Sequence, residues 1–130
     1  MTEGFARLHV CITCRAGLPL ESGAVPMGAG LHAALTTLLA ETAAPVELRT
    51  VECLATCARG CTAVISMPGK WSYLLGGLTP DHAPDLLTYA RSYVASTTGT
   101  IMPSRRPESL KDMILARFPA HDPSLRQAAE

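Results

Sequence analysis

Apolar and polar residues alternate over RLHVCI (7–12), with Leu8, Val10 and Ile12 on one side and Arg7, His9 and Cys11 on the other. That is the period of a strand. The stretch that follows, RAGLPLESGAVPMGAG, is rich in Gly and Pro and reads as a long loop. Over residues 29–41 the period changes: Leu31, Leu35, Leu38 and Leu39 recur at helical spacing and predict an amphipathic helix. Pro45 ends the connection, and VELRTVE (46–52) reads as a second strand. TAVISM (62–67) and KWSYLL (70–75) flank Pro68-Gly69, the pattern of a hairpin, which Gly76-Gly77 closes. Trp71 and Tyr73 fall on one side of that strand, as core-packing aromatics do. Thr79, Pro80 and Asp81 supply helix-start chemistry, and Ala83, Leu86, Leu87, Ala90 and Val94 trace one helical face. Pro84 fits badly inside a first turn that begins at Thr79, so this helix is expected one turn later.

The expected order over residues 7–96 is strand, helix, strand, strand, strand, helix. A parallel first pair joined by a helix, then a hairpin and a closing helix, makes a compact α/β sandwich. Residues 1–97 form the domain, and 98–130 are read as a linker and tail. Within the tail, Pro107, Glu108 and the spacing of Leu110, Ile114 and Phe118 predict a short amphipathic helix.

Composition narrows the function. Hydrophobic residues make up 48% of the 130 and charged residues 17%, which suits a packed globule. The net charge is zero, with no long basic run, so nucleic acid and anionic membranes are poor partners. Apolar stretches are broken well short of a membrane span. The start, MTEGFARLHV, lacks the basic flank and apolar core of a signal peptide, and a cytoplasmic protein is expected.

In that compartment thiols stay reduced, and five cysteines is an odd number for a disulfide framework. They fall in two knots: Cys11 and Cys14, then Cys53, Cys57 and Cys61. A redox dithiol at Cys11–Cys14 needs its first thiol at a helix N-terminus, yet Arg15-Ala16-Gly17-Leu18-Pro19 is a loop. A zinc site is open to Cys11, Cys14 and two of the other three, with His9 as a further candidate, although C-x-x-x-C is an unusual knuckle spacing. An iron–sulfur cluster needs thiolates in loops, with small residues and donors around them. Ala55, Thr56, Ala58 and Gly60 lie among the second set of thiols, Thr13 adds a hydroxyl, and Arg15 and Arg59 sit within two residues of a cysteine. The cluster reading uses the most cysteines.

The loop V-E-C-L-A-T-C, followed by a short run, a strand, a Pro-Gly-Lys turn and a Tyr-bearing strand, resembles the second ligand loop of thioredoxin-like 2Fe-2S ferredoxins. The cluster-bearing small subunit of respiratory NADH dehydrogenase has the same loop style. Nearly the whole chain also resembles a bacterial family of predicted metal-binding proteins with C-x-x-C-R, C-x-x-x-C-x-x-x-C-T, P-G-K-W-x-Y, R-R-P and A-R-F-P. The resemblance implies a thioredoxin-like fold, a 2Fe-2S cluster and a homodimer. It makes Cys53 and Cys57 ligands and sets Cys61 where proline often stands. The first pair is closer together than those ferredoxins usually have it, which leaves Cys14 and Cys61 as rivals for one place. The expected ligands are Cys11, Cys14, Cys53 and Cys57, two to each iron, with Cys61 as the alternative fourth. The expected function is an electron carrier that does no bond-making chemistry and meets a reductase or metalloenzyme through a transient interface. The alternative is a thiol-rich protein that handles or senses zinc or cobalt, tied by the second resemblance to cobalamin metabolism.

Other motifs read plainly. G-A-G-L-H-A (28–33) has a dinucleotide-binding form but follows a loop rather than a strand, so a helix entry is expected. His32, His82 and His121 have no carboxylate or thiol company and are expected in surface or capping roles. Met102, Pro103, Arg105 and Arg106 are expected to be exposed linker.

Overall fold

The computed structural model describes residues 5–12, 26–52 and 61–120. Strand β1 (Ala6–Cys11) is followed by helix α1 (Met27–Glu41), β2 (Val46–Val51), β3 (Cys61–Ser66), β4 (Ser72–Leu78), helix α2 (Ala83–Ala95) and β5 (Ile114–Phe118). Among the described residues the strands form one sheet in the order β2-β1-β3-β4-β5. β1 and β2 run parallel, in register from Ala6↔Val46 to Cys11↔Val51. All other neighbouring pairs are antiparallel. The parallel pair joined by α1, the hairpin and the closing helix follow the expected plan.

Both helices contact β1 and each other, so they share one face of the sheet. Leu8 and Val10 point to that face, cross-strand from Ile65 and Ala63, which are paired in turn with Tyr73 and Leu75. These side chains form one buried cluster with Leu31 and Leu35 of α1 and with Leu86, Leu87 and Ala90 of α2. Each large aliphatic side chain buried there contributes about 1.5–3 kcal/mol. Tyr73, Tyr89 and Tyr93 complete the core edge-on, with Tyr73 6.1 and 6.4 Å from the other two rings.

The opposite face is open at one end and closed at the other. Along β1, Arg7 is exposed, His9 half-buried and Cys11 buried. Along β3, Ser66 and Val64 are half-buried and Thr62 is buried.

The start of α2 resolves the misfit of Pro84. A 3₁₀ turn over Pro80–His82 precedes α2, and Pro84 falls in the first helical turn, where a missing N–H costs nothing. His82 performs the capping role: the Thr79 N–H donates to its Nδ1 at 2.9 Å.

The tail departs from expectation. Glu108–Leu110 is a 3₁₀ turn, and Ile114–Phe118 is a strand paired with β4 from Ser72↔Phe118 to Leu75↔Ile114. Four-residue apolar spacing over so short a segment fits a helix or a turn-plus-strand equally. The unpaired edge of β4 decides it, because a neighbouring strand satisfies that row of backbone groups. Residues 98–107 include exposed positions such as Thr98, Thr100 and Arg105 but touch the domain at points. Ile101 is buried, the Trp71 N–H donates to the Thr98 carbonyl at 2.9 Å, and Arg106 Nε donates to the Ile101 carbonyl at 3.2 Å. Met102 is exposed as expected.

Candidate metal centre

Topology gathers the cysteine-bearing segments. Because β1 and β2 are parallel, their C-terminal ends lie side by side, and antiparallel β3 begins at the same end. Cys11 is the last residue of β1, Val51 the last of β2, and Cys61 the first of β3. With β1 between β2 and β3, each of these ends is about 5 Å from its neighbour. The Cys11 thiol donates a weak hydrogen bond to the Glu52 carbonyl, Sγ to O 3.4 Å. Glu52 is covalently joined to Cys53, whose Cα is ~3.8 Å from that of Glu52 by peptide geometry. The Cys11 sulfur therefore touches the residue that precedes Cys53 in the chain.

Of the expected ligands, the structure describes Cys11, together with the alternative Cys61. Both are buried, at 2% and 0% exposure. Cys14, Cys53 and Cys57 lie outside the described residues. Among the described residues no three His, Cys, Asp or Glu side chains gather closely enough to hold a metal. Cys11 shares the face of Arg7 and His9, away from the helices. Cys61 alternates with Ala63 and Ile65, which face them. The two described thiols therefore leave the sheet on opposite sides.

Cations line the Cys11 face. Arg7 Nε and Arg49 Nη2 hold the two oxygens of Glu47 at 3.1 and 2.7 Å. The Arg49 hydrogen bond is the main reason the Glu47 carboxyl lies below its ordinary range. His9, the possible zinc ligand, is directly cross-strand from Arg49. Partial burial, then the Arg49 and Arg7 charges, hold its imidazole below the usual value.

A family model described as a protein of unknown function (DUF1636) matches residues 8–120. The chain belongs to the DUF1636 family. No curated protein matches the sequence. Among solved structures, the DUF1636 chain is similar to a thioredoxin-like 2Fe-2S ferredoxin from Aquifex aeolicus, at 14% identity and a TM-score of 0.57. The match covers 91% of this chain and 98% of that one. The fold of the DUF1636 chain is thioredoxin-like.

The P-G-K-W motif of the DUF1636 chain proves to be a structural lock. Lys70 N–H donates to the Met67 carbonyl at 3.1 Å across Pro68-Gly69, where Gly69 has φ +76°, as position i+2 of a type II turn requires. Lys70 Nζ donates to the carbonyls of Tyr93 (3.2 Å) and Val94 (2.8 Å) at the end of α2. The Trp71 carbonyl accepts the Tyr93 hydroxyl at 2.6 Å, and the Arg117 guanidinium lies 4.5 Å from the Trp71 ring centroid. Tyr73 is buried as expected, while Trp71 is only partly so.

G-A-G-L-H-A lies in α1, and Gly30 faces Pro80, where an added Cβ would meet Pro80 Cγ at 3.4 Å, an ordinary contact distance. An open groove of about 910 Å³, lined by Arg7, Val64, Met67, Pro68 and Phe118 among others, lies at the hairpin end of the sheet, remote from Cys11. Among the described residues, no helix is long and apolar enough to cross a membrane.

Sequence reasoning did not mark Thr62. Outside the tyrosines and cysteines it is the one buried polar residue among those described, at 2% exposure. Continuing the β1–β3 register one step past Val10↔Ala63 sets it opposite Cys11. On its other side, Ala63 pairs with Leu75 and Cys61 with Leu78, so Thr62 faces a bulge of two glycines, Gly76 and Gly77. Gly77 adopts φ +68°, the left-handed conformation such a bulge uses. The adjacent Gly76-Gly77 pair is visible in the sequence, but only the register shows what it faces.

Proposed function

We propose that this protein is a ferredoxin-type electron carrier holding one 2Fe-2S cluster at the end of the sheet where β1, β2 and β3 meet. The observation that carries the reading is the 3.4 Å contact between Cys11 Sγ and the carbonyl of Glu52, the residue before Cys53. It sets Cys11 beside the residue that precedes Cys53, a proximity that a four-thiolate site drawn from two loops needs. The donor set fits: soft thiolates, with small residues and hydroxyls between them in the sequence. The thioredoxin-like fold, shared with a protein described as a 2Fe-2S ferredoxin, supports the same reading. Cys11, Cys14, Cys53 and Cys57 would hold the cluster. Cys61 starts on the helix-facing side of the sheet, which favours Cys14 for the fourth place.

The cluster, when bound, supplies one-electron transfer. The chain's own part is to hold the thiolates, limit water and present an edge to a docked partner. The reading makes the protein a cytoplasmic homodimer that transforms no substrate itself. It passes single electrons to or from a reductase or metalloenzyme through a weak interface. Anaerobic purification tests it. The expected product is red-brown, with two iron and two sulfide per chain, and loses its visible bands on adding dithionite. A colourless protein with stoichiometric zinc refutes it.

A further inference from the structure

We propose that the groove at the hairpin end of the sheet binds an amphiphilic carboxylate, a small molecule with one anionic head and an unbranched apolar body. The site lies away from the cysteines and does not depend on the cluster reading.

One rung of the sheet builds the groove. Arg7 pairs with Ser66, and Ser72 pairs with Phe118. One step past Ile65↔Tyr73 sets Ser66 opposite Ser72. Four neighbouring strands therefore present Arg7, Ser66, Ser72 and Phe118 in a line on the face away from the helices. The outer two side chains are long and exposed, while the inner two are short and half-buried. A low floor between two tall ends makes a trough, about 14 Å from the Arg7 strand to the Phe118 strand at ordinary strand spacing. The Met67-Pro68 turn lies to one side of the rung and Val64 to the other. The groove they line measures about 910 Å³, the size of a small-molecule site.

The polar groups give a ligand its direction. Arg7 donates from Nε to Glu47, and its terminal nitrogens have no partner among the described residues. Glu47 is held at the same time by Arg49 at 2.7 Å, so the three side chains together carry one positive charge. Lys70 also lines the groove, but its ammonium donates to the Tyr93 and Val94 carbonyls, which leaves Arg7 as the cation for a ligand. The Ser66 hydroxyl beside Arg7 has no partner among the described residues. A guanidinium fork with a hydroxyl next to it matches a carboxylate, which accepts paired N–H bonds and a further O–H bond. At the other end Phe118 is 48% exposed, a ring for an apolar body to cover. The head therefore sits on β1 and the body runs across the strands to β5. Charge complementarity selects a monoanion: a neutral ligand leaves the fork unmatched, and a dianion meets only one net positive charge.

The experiment titrates the full chain with octanoate by isothermal titration calorimetry, below the concentration at which octanoate forms micelles. Octanol, which keeps the apolar body and lacks the charge, is titrated beside it. Octanoate is expected to bind saturably, one to one, and octanol roughly tenfold or more weakly. Arg7→Gln is expected to weaken octanoate by the same factor and leave octanol unchanged. Phe118→Ser should weaken both alike, roughly tenfold. Ser66→Leu, which raises the floor, should abolish both, with circular dichroism matching wild type. Arg91→Gln, exposed on α2 on the other face, should bind as wild type does. A folded wild type with no saturable octanoate binding overturns the proposal. Equal affinity for octanoate and octanol overturns it, as does binding that Arg7→Gln leaves unchanged. A wild type that sediments as a dimer, takes up no octanoate and becomes monomeric in Phe118→Ser assigns the face to a second copy, and overturns it too.

Discussion

Gly99 offers the sharpest test of how the far end of the molecule is built. Its φ is +84°, in the left-handed region, where an L side chain costs about 1–2 kcal/mol. A Cβ added there would stand 2.8 Å from Lys70 Cβ, 3.0 Å from the Trp71 carbonyl oxygen and 3.0 Å from Tyr93 Cε1. None of these neighbours can swing away. One is a side-chain root, one is backbone, and the ring is pinned by the 2.6 Å bond from its hydroxyl to the Trp71 carbonyl. Forcing an extra carbon into a well-packed site typically costs about 1–3 kcal/mol. Gly99→Ala is therefore expected to lose ~2–5 kcal/mol, a large fraction of the ~5–15 kcal/mol that holds a typical domain together.

Gly69 supplies the internal control. Its φ of +76° is nearly the same, but a Cβ there meets nothing within 4 Å. Gly69→Ala should cost only the conformational part, ~1–2 kcal/mol. Urea denaturation of both variants beside wild type, followed by circular dichroism, measures the two losses, and their difference isolates the clash. If Gly99→Ala costs no more than Gly69→Ala, the close packing of Lys70, Trp71 and Tyr93 around Gly99 is refuted.

Four further outcomes are expected. Lys70→Met, which keeps the apolar stem but loses two hydrogen bonds to the end of α2, should cost ~1–2 kcal/mol in the same urea assay and leave cluster content unchanged. Tyr93→Phe should cost ~1 kcal/mol for its lost bond to the Trp71 carbonyl, whereas Tyr89→Phe should be neutral or stabilising, because the Tyr89 hydroxyl has no protein partner among the described residues. Burial pushes the Tyr93 phenol up to about 12 and raises Tyr89 further, so their neutral forms favour the fold. That stability is intact below the unfolded value near 10 and is lost as pH rises through about 12, which a base titration following tyrosinate absorbance and circular dichroism together should show as coincident ionisation and unfolding. Single replacements Cys11→Ser, Cys53→Ser and Cys57→Ser should each cripple cluster incorporation, while Cys61→Ser leaves iron and sulfide content largely intact by assay.

The parts of the fold that were legible in the sequence are those where periodicity and turn chemistry agree. β1 alternates cleanly, α1 carries its leucines at helical spacing, and Pro68-Gly69 sits between two apolar runs, so each local signal had one reading. β5 was not legible, because Leu110, Ile114 and Phe118 satisfy a helical spacing and only the open edge of β4 selects a strand. Tyr89 and Tyr93 were not singled out, since α2 buries a wider arc than the stripe of Ala83, Leu86, Leu87, Ala90 and Val94. At the candidate centre, residue type named the cysteines, but spacing in the chain says nothing about which side of a sheet each one leaves. That Cys11 and Cys61 depart on opposite faces, and that Thr62 stands across from Cys11, follow from register, which is a property of strand pairs and not of either strand alone.

The same topology explains why the two ends of the sheet have such different chemistry. A parallel β1–β2 pair connected through α1 must send both chain exits out of one end, and an antiparallel β3 must enter there. Three adjacent strands thus deliver Cys11, Cys61 and Glu52, the residue before Cys53, to one end of the sheet. The opposite end receives the hairpin turn and the end of α2, and there Lys70, Trp71 and Tyr93 are joined by hydrogen bonds around Gly99, which leaves no room for a Cβ. The described thiols Cys11 and Cys61 are themselves part of the buried core, while the Lys70–Tyr93–Gly99 packing lies toward the other end of the sheet. If the chain holds the proposed cluster, removing it should leave the sheet and helices in place, unlike a small domain whose core depends on its ion. Urea midpoints of the metal-loaded and chelator-treated chains decide the point: a shared cooperative transition with a modest shift fits two separable ends, and collapse of the chelated chain to an unfolded baseline contradicts them.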